Sequence, residues 1–557
     1  MNDQTEQDSR TQSTAQQFRE QRVLLVDDQR SFQVLMKAML LNLGFNRITI
    51  LSNAEETRRR CSKEQYDIYL IDYNLGNGEN GRQLLEFLRE QHRLPADSVV
   101  FIISGDNSRA MVLSAIESEP DGYMMKPFSQ EQLRLRLQRA LQRKQELKPI
   151  FEALDKQDYR RVIRVCEPIL ATNSRYATFC RCLMAEMYIH LDEINAARGV
   201  LRAGLAAGES SWLRLGLGKA CYLLGQYEDA IAHLNTALRL RPLMVEAYRW
   251  LAAAQLDNGA GQEAIDTLTR ATEISPHSSM LHRQLAEVAL SKGDYLKARD
   301  SLSAMLDLHR YDHGRNAQLL GSYVHSLILY ALSTGDPYHL SNLQKQINNA
   351  IYRCRSSLSD NDFDLDAFEQ ICRARVQVVR GDTVRGKKQL YKAMQPYQQD
   401  LTSMAAPLIS NLVLGFTQLG EYEYADQLQQ ILDDQGAMDT LLQSCIRTIR
   451  DDKGQQEKLQ KYSELNELGI SAYTAGRYEE AVGFFRDALR RAPANTNAAL
   501  NKAQALLLLT KQRGLPKGNE ELVDECKATL TLLDGVSLNA AQTERLRKLQ
   551  EDLQAFL

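Results

Sequence analysis

The sequence predicts an α/β domain with a parallel sheet, followed by an all-α array of helical repeats. The first prediction rests on short apolar runs that alternate with longer helical patterns between residues 22 and 141. The second rests on a 34-residue spacing of glycines and alanines, and on the loss of strand patterns beyond Pro149. At 557 residues the chain is too long for one core, because single domains rarely exceed about 250 residues.

Five apolar runs are predicted to form the strands of the parallel sheet. The segments between them repeat apolar residues at helical spacing, and the first, residues 31–43, ends at Gly44, which suits a helix C-cap. Strands that alternate with helices in this way predict a flavodoxin-like, doubly wound (βα)5 fold over residues 21–146. The predicted strands are residues 23–26, 48–51, 68–71, 99–103 and 122–125.

Polar residues follow four of these strands. Asp27 and Asp28 follow the first strand, Asp72 the third, Ser104 the fourth and Lys126 the fifth. The carboxyl ends of parallel strands meet at one edge of the sheet, where ligands of such folds bind. Three clustered carboxylates repel one another, and a hard cation with oxygen ligands at about 2.1 Å relieves this repulsion. The sequence therefore predicts a Mg²⁺ site.

An acidic pair, an aspartate, a hydroxyl residue and a lysine in this order resemble the response regulator receiver family. The resemblance implies that Asp27, Asp28 and Asp72 bind the metal, and that Asn74 adds a backbone carbonyl. It also implies that Asp72 is the nucleophile that takes a phosphoryl group from a histidine kinase. A single acid after a strand is commonly a helix N-cap or turn residue, but the ordered set favours a site.

The same resemblance assigns the remaining site residues. Ser104 matches the hydroxyl that contacts the phosphoryl group, and Lys126 matches the ammonium that neutralises it. Tyr123 matches the aromatic switch position, so Ser104 is expected to move inward on phosphorylation and Tyr123 to follow. The sequence departs from the family pattern at residues 74–81, which replace a shorter loop that usually contains proline.

A period of 34 residues organises the helical part of the chain. Gly225, Gly259 and Gly293 are spaced by this period, as are Ala230 and Ala264. The pattern resembles the tetratricopeptide repeat, a helix pair that packs closely through small residues. The predicted organisation is a disordered tail at 1–20, a receiver domain at 21–146, tetratricopeptide repeats at 147–306, an irregular helical region at 307–406, and further repeats with a C-terminal capping helix at 407–557.

Composition narrows the classes of function. A net charge of -3 gives no overall attraction to nucleic acid, and no uncharged apolar run is long enough for membrane insertion. Nine cysteines, of which only Cys180 and Cys182 are close together, suggest reduced thiols in a bacterial cytoplasm. Arginines and lysines at 134–144 are expected to form a solvated face. The array carries no evident catalytic motif, so the only predicted chemistry is phosphorylation and self-hydrolysis of the receiver.

The leading interpretation is a two-component response regulator phosphorylated on Asp72, whose repeats bind a protein partner in an extended groove. A receiver joined to such an array is similar to auxiliary regulators of the VieB type, which implies that it modulates a sensor kinase or companion regulator in a phosphorelay. One alternative is a transcription regulator, although no basic recognition helix is evident. Another is a constitutive scaffold that is rarely phosphorylated, and a homodimer remains open.

Overall fold

The structure is a computed structural model that divides into two compact units, Met1–Gln284 and Leu285–Leu557. Within the described ranges, none of the helices combines the length and apolar character that a membrane span requires. The described residues are 18–76, 79–105, 120–172, 174–309, 316–355, 358, 363–436, 439–514, 520–534, 536, 538 and 540–554.

A five-stranded parallel sheet forms the centre of the amino-terminal domain, with the strand order β2-β1-β3-β4-β5. This order is that of a flavodoxin-like fold, and it confirms the predicted fold class. Several strands extend one residue beyond the predicted runs, because polar residues such as Arg22 and Arg47 pair in register through their backbones. The strands are β1 Arg22–Val26, β2 Arg47–Leu51, β3 Ile68–Asp72, β4 Val99–Ser104 and β5 Gly122–Met125.

Helices cover both faces of the sheet. The first and fourth helices contribute Met36 and Leu137 to one buried cluster, and the second and third contribute Cys61 and Leu88 to the other. Alternate strand residues supply the two clusters because successive side chains point to opposite faces. The helix predicted between β4 and β5 falls at 106–119, outside the described residues. The helices are α1 Arg30–Asn42, α2 Ala54–Cys61, α3 Gly81–Glu90 and α4 Gln130–Glu146.

Phe18 corrects the prediction of a disordered tail over residues 1–20. Residues 18–20 are helical, and Phe18 is buried with its ring stacked 4.5 Å from that of Phe45. Burial of a large aromatic side chain stabilises this segment on the domain core. Residues 1–17 lie outside the described residues.

Helix α4 joins the sheet domain to the helical array. Its predicted capping box is present, since Ser129 Oγ accepts from the Gln132 amide and Gln132 Oε1 accepts from the Ser129 amide. The predicted solvated face is wrong at Lys144, which is largely buried. Lys144 Nζ donates to the Ala96 carbonyl at 2.8 Å and lies 3.4 Å from an Asp121 carboxylate oxygen.

The array begins immediately after α4. At the predicted period, Ala230 and Ala264 are fully buried, and Gly225 and Gly259 adopt left-handed conformations in the turns between paired helices. The first helices of the array are α5 Lys148–Asp155, α6 Tyr159–Ala171, α7 Ala177–His190, α8 Ile194–Ala207, α9 Ser211–Leu223, α10 Tyr227–Leu240, α11 Val245–Asp257 and α12 Gly261–Ile274.

Helix α13, Ser279–Lys292, begins in the first unit and ends in the second. The region predicted to be irregular contains long helices together with two short 3₁₀ turns, Gln395–Tyr397 and Leu401–Ser403. Hydrophobic side chains of several helices form a large buried cluster there. The later helices are α14 Tyr295–Leu308, α15 Asn316–Thr334, α16 Pro337–Cys354, α17 Leu365–Val379, α18 Thr383–Met394, α19 Ala406–Leu419, α20 Tyr422–Gln435, α21 Thr440–Arg450, α22 Lys453–Thr474, α23 Tyr478–Arg491, α24 Thr496–Arg513, α25 Glu520–Thr531 and α26 Ala540–Gln554.

A pair of glycine substitutions tests the close packing of α22 on α23. A Cβ at Gly469 would lie 2.5 Å from the ring of Phe485, whereas a Cβ at Gly483 would meet nothing within 4 Å. Gly469→Ala should lower the free energy of unfolding by about 1 to 3 kcal/mol through overpacking. Gly483→Ala should raise it by up to about 1 kcal/mol, because alanine has the higher helix propensity. Urea denaturation measures both, and equal effects would contradict the packing.

Candidate functional site

Three carboxylates meet where strands β1 and β3 end. Asp27 and Asp72 are buried and Asp28 is exposed, yet one carboxylate oxygen from each lies within 4.8 Å of the other two. The parallel register explains this proximity, because β1 pairs directly with β3 and both strands end at the same edge. We call this cluster of Asp27, Asp28 and Asp72 the acidic rim.

Lys126 connects the two buried acids of the rim. Its Nζ lies 2.7 Å from Asp27 Oδ2 and 2.7 Å from Asp72 Oδ1. The same ammonium lies 3.8 Å from the centroid of the Phe32 ring, which favours a cation electrostatically. Phe128 contacts Phe32 edge to face at 6.1 Å. The ammonium is therefore held by two carboxylates and one aromatic face.

Burial raises the pKa of Asp72 to about 6, above its ordinary value. The Lys126 ammonium opposes this shift by a hydrogen bond and by its charge, and the Asn74 amide opposes it at 3.1 Å from Asp72 Oδ2. The negative charge of Asp27 adds to the shift. Asp72 is consequently an ionised carboxylate near neutral pH that is poorly solvated, which suits a nucleophile.

Backbone and amide groups fix the orientation of Asp27. The Gln29 amide donates to Asp27 Oδ1 at 2.8 Å, and Gln33 Nε2 donates to the Asp27 carbonyl at 2.5 Å. Gln33 also reaches Ser52 Oγ at 3.1 Å, so α1 is fastened to the end of β2. Sequence reasoning missed Gln33 and Phe32, because neither lies at a strand end.

Two glycines in the loop after β3 allow close approach to the acids. A Cβ at Gly81 would lie 2.1 Å from the Asp72 carbonyl oxygen, so only glycine fits where α3 begins. Gly76 has a φ of +79°, and a Cβ there would lie 3.1 Å from Asp28 Oδ2. In the sequence, the glycines at positions 76 and 81 of the unusual loop were the feature that could have indicated the close approach of this loop to Asp28 and Asp72.

Ser104 and Tyr123 lie where the sequence predicts them along the sheet. Ser104 is buried at the end of β4, and its carbonyl accepts from the Lys126 amide at 2.7 Å. Tyr123 pairs with Ile102 in register and is partly buried against the cluster that contains Leu84. Its carbonyl accepts from Arg136 on α4. Ser104 therefore pairs with Met125, the residue before Lys126, and Tyr123 lies three residues before Lys126 in β5.

The acidic rim has the donor set that Mg²⁺ requires. Its carboxylate oxygens are hard ligands, and the exposure of Asp28 leaves room for the waters that Mg²⁺ retains. Asp27, Asp28 and Asp72 would hold the ion. Asn74 lies beside them through its contact with Asp72, so its backbone is close to the same place.

Family comparisons agree with this geometry. A family model described as response regulator receiver domain matches residues 23–138. The amino-terminal domain is a response regulator receiver domain. A second family model, tetratricopeptide repeat, matches residues 215–279 and 466–511. The receiver domain implies a two-component response regulator, and the repeats imply protein interaction, an architecture that fits a non-enzymatic regulator.

Relatives of this receiver domain include chemotaxis and transcription proteins. Chemotaxis protein CheY-3 of Vibrio cholerae is 26% identical over 122 residues, covering 22% of this chain and 92% of the relative. Transcriptional regulatory protein CpxR of Escherichia coli is 30% identical over 122 residues, covering 22% of this chain and 50% of the relative. The match to CpxR thus spans half of that protein.

Solved receiver domains are also similar to this chain. The CheY-like receiver domain protein from Methanospirillum hungatei has a TM-score of 0.21 at 22% identity, covering 23% of this chain and 97% of that one. A receiver domain of a Francisella response regulator has a TM-score of 0.21 at 26% identity, covering 22% of this chain and 98% of that one.

Removal of the ammonium tests how strongly it stabilises the rim. Lys126→Met should lower the free energy of unfolding by about 3 kcal/mol, because it leaves two buried carboxylates without a cation. This loss of unfolding free energy should diminish as the pH falls below about 6. Asp72 then takes up a proton more readily in the folded than in the unfolded chain, and a neutral carboxyl group no longer needs a cation. Urea denaturation in the presence of a chelator measures both effects.

Lys37→Met is the matched control, because Lys37 is exposed on α1 of the same domain. Its effect should stay within about 0.5 kcal/mol, as is usual for surface substitutions. Two results would contradict a stabilising ion pair of Lys126 with Asp27 and Asp72. One is equal destabilisation by the two variants, and the other is a destabilisation by Lys126→Met that does not change with pH.

Proposed function

We propose that Asp72 is the phospho-acceptor of a response regulator, and that phosphorylation changes which proteins the helical array binds. The phosphoryl donor is a histidine kinase. The regulated partner is a sensor kinase or a companion regulator in a phosphorelay. The observation that carries this proposal is the placement of the Lys126 ammonium 2.7 Å from both Asp27 and Asp72.

The proposed reaction is a transfer of the phosphoryl group between two side chains. An Asp72 carboxylate oxygen forms a bond to phosphorus while the bond to the kinase imidazole breaks, and the imidazole leaves with the electron pair. Little covalent chemistry is required of the protein, which must supply alignment and positive charge. Lys126 supplies an ammonium, and Asp27 and Asp28 would hold Mg²⁺. When bound, Mg²⁺ neutralises charge on the phosphoryl oxygens.

The proposed switch follows from the new charge. Phosphorylation replaces the single negative charge of the Asp72 carboxylate with close to two on the acyl phosphate, and a hydrogen bond to a charged group contributes about 1.5 to 3 kcal/mol. Raising the population of an active conformation from one to ninety-nine per cent requires about 5.5 kcal/mol. Contacts of the phosphoryl group with Ser104, Lys126 and the metal would together reach this magnitude. Ser104 therefore moves toward the phosphoryl group, and Tyr123 follows into the space that it leaves.

Strand β4 supports coupling between the rim and the array. Ser104 ends this strand at the rim, and residue Ala96 precedes its other end. The Ala96 amide donates to Asp155 of α5 at 2.9 Å, while Lys144 Nζ donates to the Ala96 carbonyl at 2.8 Å. A displacement of β4 would therefore reach the first helix of the array through hydrogen-bonded contacts.

Acetyl phosphate with Mg²⁺ tests the phospho-acceptor. The wild-type chain should gain the mass of one phosphoryl group, and Asp72→Asn should gain none, because a neutral amide replaces the nucleophilic carboxylate. Asp97→Asn is the control, since Asp97 is an exposed acid of the same domain outside the rim. Intact-mass spectrometry measures the gain. Equal phosphorylation of wild type and Asp72→Asn would contradict the proposal.

Affinity capture from a lysate tests the proposed output. With acetyl phosphate, wild type and Asp97→Asn should capture a histidine kinase or a companion regulator in amounts that differ from those of Asp72→Asn. Without acetyl phosphate the three proteins should agree, because none carries the new charge. Quantitative mass spectrometry identifies the captured proteins. Capture that is the same for all three proteins under both conditions would leave a constitutive scaffold as the function.

A further inference from the structure

A cavity of about 330 Å³ lies within the second unit, far along the chain from the acidic rim. Its walls come from α18, α20, α24 and the last described helix, α26. The cavity is large enough for a small polar molecule and combines charged, hydroxyl and aromatic groups. The residues that define its chemistry are Tyr391, Glu421, Glu423, Tyr424, Thr496 and Arg545.

The floor of the cavity is a fixed network without net charge. Glu421 is buried and forms an ion pair with the buried Lys387. Glu421 Oε1 also accepts from the Thr496 amide at 3.0 Å and from Thr496 Oγ1 at 2.7 Å. Lys387 Nζ donates to Thr496 Oγ1 at 2.9 Å as well. These bonds satisfy Glu421, so the floor bounds the cavity but presents no unpaired charge to a ligand.

Two other lining groups carry charge without a counter-charge. Glu423 accepts from Tyr462 Oη at 3.0 Å and from Asn495 Nδ2 at 3.2 Å, both of which are neutral donors. Arg545 Nε donates to Gln504 Oε1 at 2.9 Å, and its Nη2 donates to Asn501 Oδ1 at 2.8 Å. Among the described side chains, neither Glu423 nor Arg545 has an ion-pair partner. One carboxylate and one guanidinium therefore face the same cavity unneutralised.

From this arrangement we propose that the cavity binds a free α-amino acid. The ligand's ammonium group pairs with Glu423 and its carboxylate pairs with Arg545, while its side chain lies against the rings of Tyr391 and Tyr424. A guanidinium suits a carboxylate because the hydrogen bond between the two groups is charge-assisted. A ligand with only one charge would leave either Glu423 or Arg545 without a counter-charge, so a zwitterion fits best.

The location gives such a ligand a structural effect. Arg545 belongs to α26, whose contacts with α24 include the bonds from Arg545 to Asn501 and Gln504. Glu423 belongs to α20, so a zwitterion would join α26 to a second helix of the array. Binding would thus strengthen the packing of α26, and it requires neither Asp72 nor phosphorylation. The site adds a chemical input to the array that is independent of the proposed function.

The test uses the full-length protein and the twenty proteinogenic L-α-amino acids, screened in pools and then singly. Thermal unfolding and saturation-transfer NMR detect binding. At least one amino acid should raise the unfolding temperature and bind saturably. Its N-acetyl derivative, which lacks the ammonium, and its amide, which lacks the carboxylate, should each bind at least about tenfold more weakly.

Two variants locate the binding site. Glu423→Gln and Arg545→Gln should each weaken binding of that amino acid by at least about tenfold, because each removes one charge pair. Arg547→Gln is the matched control on α26, since Arg547 is exposed and pairs with Glu544 and Glu551 on its own helix. Its affinity should equal that of wild type.

Two results would overturn this inference. One is the absence of saturable binding by any of the twenty amino acids. The other is undiminished binding by Glu423→Gln, or by the N-acetyl and amide derivatives on the wild-type chain. These last measurements decide the question even if Arg545→Gln loosens α26. None of them involves Asp72, so this inference and the phospho-acceptor proposal succeed or fail separately.

Discussion

One ammonium held between two buried carboxylates is the interaction on which the amino-terminal site depends. Asp27 directly follows β1 and Asp72 ends the neighbouring parallel strand β3, and Lys126 lies between them at 2.7 Å from each. The Phe32 ring supports the same ammonium from one side. Burial destabilises the ionised form of Asp72 and so raises its pKa to about 6. Because the charged form is poorly solvated, the carboxylate is sensitive to a change in the charge at the rim.

The contacts of β4 would give the proposed phosphorylation a route to the first helix of the array. Ser104 lies at one end of the strand, while the segment before its other end is bonded to Asp155 and Lys144. Asp155 is the last residue of α5, the first helix of the array. The proposed amino-acid site in the second unit rests on a different principle, because there two opposite charges lack counter-charges. The chain would then combine a covalent input with a non-covalent one.

The sequence predicted the fold class and the positions of the rim residues because strand ends of a parallel sheet converge by geometry. The proximity of Asp27 and Asp72 therefore follows from the direct pairing of β1 with β3, whereas Lys126 follows β5 and reaches both acids through the length of its side chain. The ring of Phe32 and the contact at Gly81 depend on how helices pack on the sheet, which a local pattern does not encode. Lys144 was misread because its run of basic neighbours resembles a solvated face. Glu423 and Arg545 are separated by more than a hundred residues, so no spacing rule connects them.

The most direct measurement of the central claim is the chemical identification of the phosphorylated side chain. Borohydride reduces an acyl phosphate of aspartate to the alcohol of homoserine, and peptide mass spectrometry locates that product in the chain. After phosphorylation and reduction of the wild-type protein, this account predicts homoserine in place of Asp72 and at no other acid. Homoserine at Asp27 or Asp28, or phosphorylated protein that yields no reduced product at Asp72, would contradict it.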